Sequence, residues 1–276
     1  MFGIRRNARR LEAMDQRLSS VLSRERKIES LDALTKALGT ASLPENLSSS
    51  VIALDSSVFL RLAANDKSAD VIDYLNGQHA SGLIIPGQSI QEFWNNRYNV
   101  VPSLAKSLRS SFDSFINKIS ELDNDFGDYR SKFEMLIDEF ESEHGHVFDE
   151  QTVSKTFRML EALQAKAVVP YVNREQFQSL AQHRRNTKTP PGFRDKHGND
   201  GDFFVWLDTL RGVQTIAMTE SAPSWLVFVT NDKKDDWSRD GMAHPVLTAE
   251  LHAISGVDLC IVDLPKFLKL VERTTQ

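Results

Sequence analysis

Apolar and polar positions divide this chain into blocks that read as strands and helices. Val51 to Leu54, Leu83 to Ile85, Trp225 to Val229 and Asp258 to Val262 are short runs rich in β-branched and aromatic residues, most of them closed by polar or turn-forming residues. Runs without a polar face are typical of strands covered on both sides, as in a parallel sheet. Val168 and Val169 are too short a pair to assign. Helical periodicity fills the gaps. Val58 to Ala64 and Lys67 to Gln78 follow the first strand, and a helix with Gln88, Glu92 and Asn96 on one face follows the second. Phe203 to Leu207 begins a buried helix, and Pro265 to Glu272 closes the chain. Strands alternating with helices predict an α/β protein with a parallel sheet.

Two segments fall outside that rhythm. Over residues 5–38, Leu11, Met14, Leu18, Val21, Leu22 and Ile28, then Leu31, Leu34 and Leu38, recur at helical steps and predict a helix stopped near Gly39. Residues 1–48 thus read as an N-terminal helical extension and residues 49–276 as the main domain. The stripe serves its own domain or a partner, either a second copy in a homodimer or an operon-encoded protein. Residues 100–165 show helical periodicity without a convincing strand and predict an inserted helical hairpin. Its stretch 121–150 is strongly acidic, expected as a solvated face that repels nucleic acid. His144 and His146 flank a glycine there and are expected in a turn without a metal.

Composition narrows the classes. Cys260 is the single cysteine, so neither a disulfide framework nor a cysteine zinc site is possible within one chain. No apolar run is long enough to span a bilayer, and the basic N-terminus lacks an apolar signal core, so a cytoplasmic protein is expected. The net charge is −5, so nucleic acid would have to meet a local basic patch.

The candidate chemistry lies where apolar runs stop. Trp225 to Val229 ends at Thr230-Asn231-Asp232-Lys233-Lys234-Asp235-Asp236-Trp237. In open α/β sheets ligands bind beyond the carboxyl ends of strands. Carboxylates and lysines delivered there suit a metal and phosphate site, although Asp and Asn are also ordinary turn residues. Asp55 follows the first strand, Glu92 lies on the helix after the second, and Asp202 opens a helix, where a carboxylate also suits the helix dipole. All four acids, Asp55, Glu92, Asp202 and Asp232, are placed to converge on one carboxyl edge. Clustered carboxylates repel unless a cation sits among them, and oxygen ligands of this kind suit Mg²⁺ or Mn²⁺.

Motifs in the second half carry a resemblance. Pro190-Pro191-Gly192-Phe193-Arg194-Asp195, then Gly201-Asp202 with Trp206, then Thr230 to Trp237 resemble, in this order, a branch of the PIN-domain nucleases. Leu54-Asp55-Ser56-Ser57 and Pro86, Glu92 and Phe93 match the first half, so the resemblance covers about residues 50–270. It implies a PIN-like three-layer α/β/α fold and metal-dependent phosphodiester hydrolysis, with Asp55, Glu92, Asp202 and Asp232 as the catalytic metal site. Asp236 is a further metal-ligand candidate, Ser56 and Thr230 bring hydroxyls near the metal, and Asp195 belongs to an outer shell or fixes its loop. Lys233 and Lys234 are candidates to meet a phosphate, with surface solvation as their alternative. Trp206 and Trp237 read as core and loop anchors rather than base-stacking platforms.

The function expected from these residues is a nuclease, with RNA favoured over DNA and endoribonuclease action the family's expectation. A toxin or phage-defence role is compatible. The rivals are a non-catalytic nucleic-acid-binding or regulatory module and a haloacid-dehalogenase-like phosphatase. The latter normally has a second Asp where Ser57 stands. Substrate capture is assigned to a basic, proline-bearing loop from His183, with Arg184, Arg185, Lys188, Arg194 and Lys196.

Overall fold

A computed structural model describes residues 2–39, 44–95, 110–111, 114–118, 131–133, 135–136, 150–194, 199–218, 223–239 and 241–275. In chain order, helices α1 (Phe2–Leu22) and α2 (Ser30–Gly39) precede strand β1 (Ser50–Leu54). Helices α3 (Ser56–Ala64) and α4 (Ser68–Asp73), with a π-turn at Tyr74–Gln78, lead to β2 (Leu83–Ile84) and to helix α5, described over 87–95. Then come α6 (Glu150–Gln164), β3 (Ala167–Val168), α7 (Arg174–Asn186), α8 (Gly201–Ile216) and β4 (Trp225–Val229). A hairpin of β5 (Ser238–Arg239) and β6 (Met242–Ala243), helix α9 (Pro245–Ser255), β7 (Asp258–Val262) and α10 (Leu264–Thr275) complete the chain.

The five long-range strands pair in parallel in the order β3-β2-β1-β4-β7. Successive residues of a strand point to opposite faces, and each face meets its own helical layer. Val51, Ala53, Leu226, Phe228, Leu259 and Ile261 join one core with α1, α7, α8 and α9. Ile52, Leu54, Val227, Val229, Cys260 and Val262 join the other, with α3, α5, α6 and α10. This is the three-layer α/β/α arrangement expected, and the apolar runs of β1, β4 and β7 are explained by burial on both faces.

Several local expectations change. The N-terminal segment folds as two helices, not one, parted at a turn where Arg24 has a φ of 68°. Leu18, Val21 and Leu22 of α1 are buried in the chain's own core. The Arg17 guanidinium donates to the Ala253 carbonyl at 3.1 Å, and Arg211 pairs with Asp15. Of the two uses left open for the stripe, its own domain or a partner, the buried residues of α1 serve the first. Helix α6 was expected inside the inserted hairpin, yet Met159 and Leu163 belong to the second core, and Phe157 packs edge-on against Phe93 at 5.7 Å. Residues 174–186, whose basic end read as loop, form helix α7. Asn96, His144, His146 and most of the acidic stretch lie outside the described residues. Among the described residues no helix is long and apolar enough to cross a membrane.

Candidate active site

The chain leaves β1 towards β2 and β3, and returns through β4 to the other side of β1. That reversal makes the β1–β4 boundary the switch point of the sheet, where a crevice opens beyond the strand ends. Leu54 is in register with Val229, so Asp55 and Thr230 emerge side by side. Thr230 Oγ1 donates to Asp55 Oδ2 at 2.9 Å, and Ser57 Oγ donates to the same oxygen at 2.7 Å. Asp55 Oδ1 accepts from the Ser56 amide at 2.7 Å and from Ser89 Oγ at 3.3 Å. Asp55 therefore caps α3 and is held by hydroxyls from three elements while keeping 8% exposure.

Glu92 reaches this carboxylate through one hydroxyl. Ser56 Oγ donates to Glu92 Oε2 at 3.2 Å and also stands 3.4 Å from Asp55 Oδ1. Gln88, one turn back on α5, donates to Glu92 Oε1 at 3.1 Å. Glu92 also lies against the start of α8. A Cβ on Gly201 would stand 2.4 Å from Glu92 Oε1, so the glycine allows this close approach.

Asp202 and Asp232 form the second half. The Lys234 ammonium lies 2.6 Å from Asp202 Oδ2 and 2.9 Å from Asp232 Oδ2. Trp237 Nε1 donates to Asp202 Oδ2 at 3.2 Å. The Asp232 amide donates to Thr230 Oγ1 at 3.0 Å, which ties this half to Asp55. The four acids thus gather at one edge as two linked pairs. Among the described residues no three carboxylates, imidazoles or thiols stand close enough to hold a metal as they are. The residues still fit a hard divalent cation. Two carboxylates already share one cation, the Lys234 ammonium, and two more lie along the same edge with oxygen-only donors.

Other expected residues have different placements. Asp236, expected as a metal ligand, is fully buried. Its Oδ2 accepts the amides of Gly192 and Arg194 at 3.0 and 3.1 Å, so it holds the Pro-Pro-Gly loop in place. Arg184, expected to bind substrate, is buried. Its guanidinium forks onto Glu250 at 2.7 and 3.2 Å and donates to the Pro190 carbonyl. Arg24 and Trp206 Nε1 also reach Glu250, at 2.7 and 2.9 Å, so this buried carboxylate joins four parts of the fold. Arg185 pairs with Asp200 at the start of α8. Lys188, Arg194 and Lys233 are exposed, Arg194 standing 3.8 Å from Asp235. Asp195 and Lys196 lie outside the described residues. Trp206 and Trp237 are core anchors, Trp237 stacking on Phe228 at 4.8 Å.

Asp208 was not anticipated. It is fully buried and takes both prongs of Arg174, at 2.9 and 2.8 Å. It also accepts the amides of Gln88 and Val172 at 2.9 Å each. It thereby fixes the start of the helix that carries Glu92. The available signal was an acid in an otherwise apolar helical stretch, since a buried Asp is rarely unpaired. His244 caps α9, with Nδ1 accepting the Val246 amide at 3.2 Å. Burial lowers its pKa, against the opposing pull of Asp236 and Glu250.

A family model described as a PIN-like domain matches residues 112–248, a span that contains Asp202, Asp232, Lys233, Lys234 and the Pro-Pro-Gly loop. The chain belongs to the PIN-like family. No curated protein and no solved structure matches the chain. Asp55 and Glu92 lie ahead of the matched span, but the PIN-like sheet brings them to the same edge as Asp202.

Proposed function

We propose that this PIN-like protein is a metal-dependent endoribonuclease. The reading rests on one observation: Asp55, Glu92, Asp202 and Asp232 line one carboxyl edge at the switch point of the sheet as two pairs, linked through Ser56, Thr230 and Lys234. Asp202 and Asp232, joined by Glu92 and Asp55, would hold Mg²⁺ or Mn²⁺. Such an ion lowers the pKa of a bound water and neutralises charge on a phosphate under attack. The chain's own residues do the positioning. Ser57, Ser89 and Thr230 hold the Asp55 carboxylate by its two oxygens, and Gln88 holds Glu92. Lys188, Arg194 and Lys233 offer exposed cations to the phosphates of a strand, in place of the buried Arg184.

The test is cleavage of a labelled RNA strand in Mg²⁺ or Mn²⁺, with para-nitrophenyl phosphate as the phosphatase control. Asp55→Asn, Asp202→Asn and Asp232→Asn should each reduce RNA cleavage by orders of magnitude and leave the fold intact. Wild-type rates in all three would refute the assignment. A second reading, a nucleic-acid-binding module without turnover, draws on the Lys234 ammonium that already neutralises two of the acids. Retained RNA binding with no cleavage under any divalent cation would decide for it.

A further inference from the structure

We infer that Tyr171 is a stacking platform for an unpaired base of the substrate strand, an inference that rests on the nucleic-acid reading above. Tyr171 follows β3, at the same carboxyl edge from which Asp55 and Asp232 emerge. Its side chain is 57% exposed, yet it is fixed on several sides. The Arg174 guanidinium lies 4.1 Å from its ring centroid and 4.6 Å from that of Phe204, so the cation is layered between two rings. Arg174 is itself locked by its fork onto the buried Asp208. The Tyr171 hydroxyl donates to Gln91 Oε1 at 2.6 Å. A Cβ on Gly87 would stand 2.1 Å from the ring, so the backbone of α5 packs closely against it.

Exposed aromatic side chains are ordinary on protein surfaces, so what singles this one out is its fixed position. This one is held rigid and left open, and a pre-ordered ring loses little conformational freedom when a ligand stacks on it. Its position selects the ligand. Gln91 and Glu92 are neighbours on α5, Gln91 bonded to Tyr171 and Glu92 to Ser56 beside Asp55. A strand whose phosphate lies at the acids therefore passes close to the ring. Within a duplex the faces of a base are covered by its neighbours, so the base that stacks is unpaired. Trp206 and Trp237 are buried and unavailable for this role. Stacking tolerates any base, which fits a chain without a base-reading motif.

The experiment measures binding of fluorescein-labelled oligouridine to the full chain by anisotropy, with EDTA and with Mn²⁺, for wild type, Tyr171→Phe and Tyr171→Ala. An abasic site is scanned along the strand. Loss of one stacked base weakens binding by about five- to a hundredfold. Tyr171→Ala should show that loss and Tyr171→Phe should retain most of the affinity. One abasic position should weaken the wild type by a similar factor and leave Tyr171→Ala unaffected. A merely structural tyrosine would instead leave both proteins equally sensitive to the abasic site. Strand binding by the wild type, with equal affinity or equal abasic sensitivity in Tyr171→Ala, overturns the platform and leaves the nuclease reading standing. No binding by the wild type to RNA or DNA strands in either condition overturns both.

Discussion

Replacing Lys234 with Met probes the site without touching an acid. The ammonium lies 2.6 and 2.9 Å from the Oδ2 atoms of Asp202 and Asp232, so these oxygens are no more than about 5.5 Å apart. Two unit charges at that distance repel by about 3 kcal/mol at the effective permittivity of a protein surface. The three side chains keep 33%, 17% and 19% exposure, and solvent screens part of the repulsion. A loss of about 1–3 kcal/mol is left for the metal-free protein. That corresponds to a melting temperature lower by roughly 2 to 10 °C in EDTA. The methionine keeps the apolar stem and removes the cation that a metal would have to displace. Mn²⁺ should therefore bind Lys234→Met about tenfold tighter, equivalent to about 1.4 kcal/mol. Calorimetric titration with Mn²⁺ and thermal melts across Mn²⁺ concentration check both effects, since a ligand of the native state raises stability by mass action. Unchanged melting in EDTA together with an unchanged Mn²⁺ midpoint would refute the reasoning.

Gly201→Ala pushes a methyl group towards Glu92 Oε1 at 2.4 Å, and that oxygen, though bonded to Gln88, is the far end of a flexible side chain. Melting should change little, because Glu92 can swing aside and Gly201 is the first residue of α8, while RNA cleavage falls; unchanged cleavage would detach Glu92 from the site. Arg184→Gln removes the buried fork from Glu250, which keeps Arg24 and Trp206 as partners, and should cost about 1–3 kcal/mol in urea unfolding. The salt dependence of strand binding by the folded fraction should stay as in wild type. For His79, burial and then Lys166 lower the pKa from 6.5 to about 4. The unfolded chain binds that proton first, so this contribution is fully present above pH 6.5 and is lost as pH falls to about 4, amounting to about 3 kcal/mol. Unfolding free energy against pH should slope in that window for wild type and less steeply for His79→Gln.

The central strands were legible because burial on both faces leaves no polar positions. β1, β4 and β7 lie within a residue of the runs read from the sequence. The acids were legible for a related reason, since each marks the point where such a run or its following helix meets the sheet edge. Helix α7 was not legible. Its residues are mostly polar, and the basic residues of its last turn resemble a loop. Neighbours on a helix point about 100° apart, so Arg184 is buried against Glu250 while Arg185 reaches outward to Asp200. No run of basic residues shows that division. Helix α9 was missed for the opposite reason, since much of its surface is covered and its periodicity is weak.

Burial separates most of the acids by task, which spacing could not do; Asp55, buried at 8% exposure and held by hydroxyls, is the exception. Asp208, Asp236 and Glu250 are fully buried, and each accepts donors from distant segments, Asp236 through Oδ2 alone. A buried carboxylate without such donors would be costly, so the donors fix the segments that supply them. Asp208 sets the start of α5, Asp236 sets the Pro-Pro-Gly loop, and Glu250 ties α7 to α8 and α9. Glu92, Asp202 and Asp232 stay partly open. Asp202 and Asp232 share one flexible ammonium at their Oδ2 atoms, while fixed donors, the Trp237 indole on Asp202 and the Lys234 amide on Asp232 Oδ1, only orient them. An ammonium on a long stem can leave where a backbone amide cannot, and the exchange keeps the pair balanced if a divalent cation takes its place. The buried acids thus build a rigid edge, and on the proposed reading the partly open ones would keep there a charge to trade for a metal.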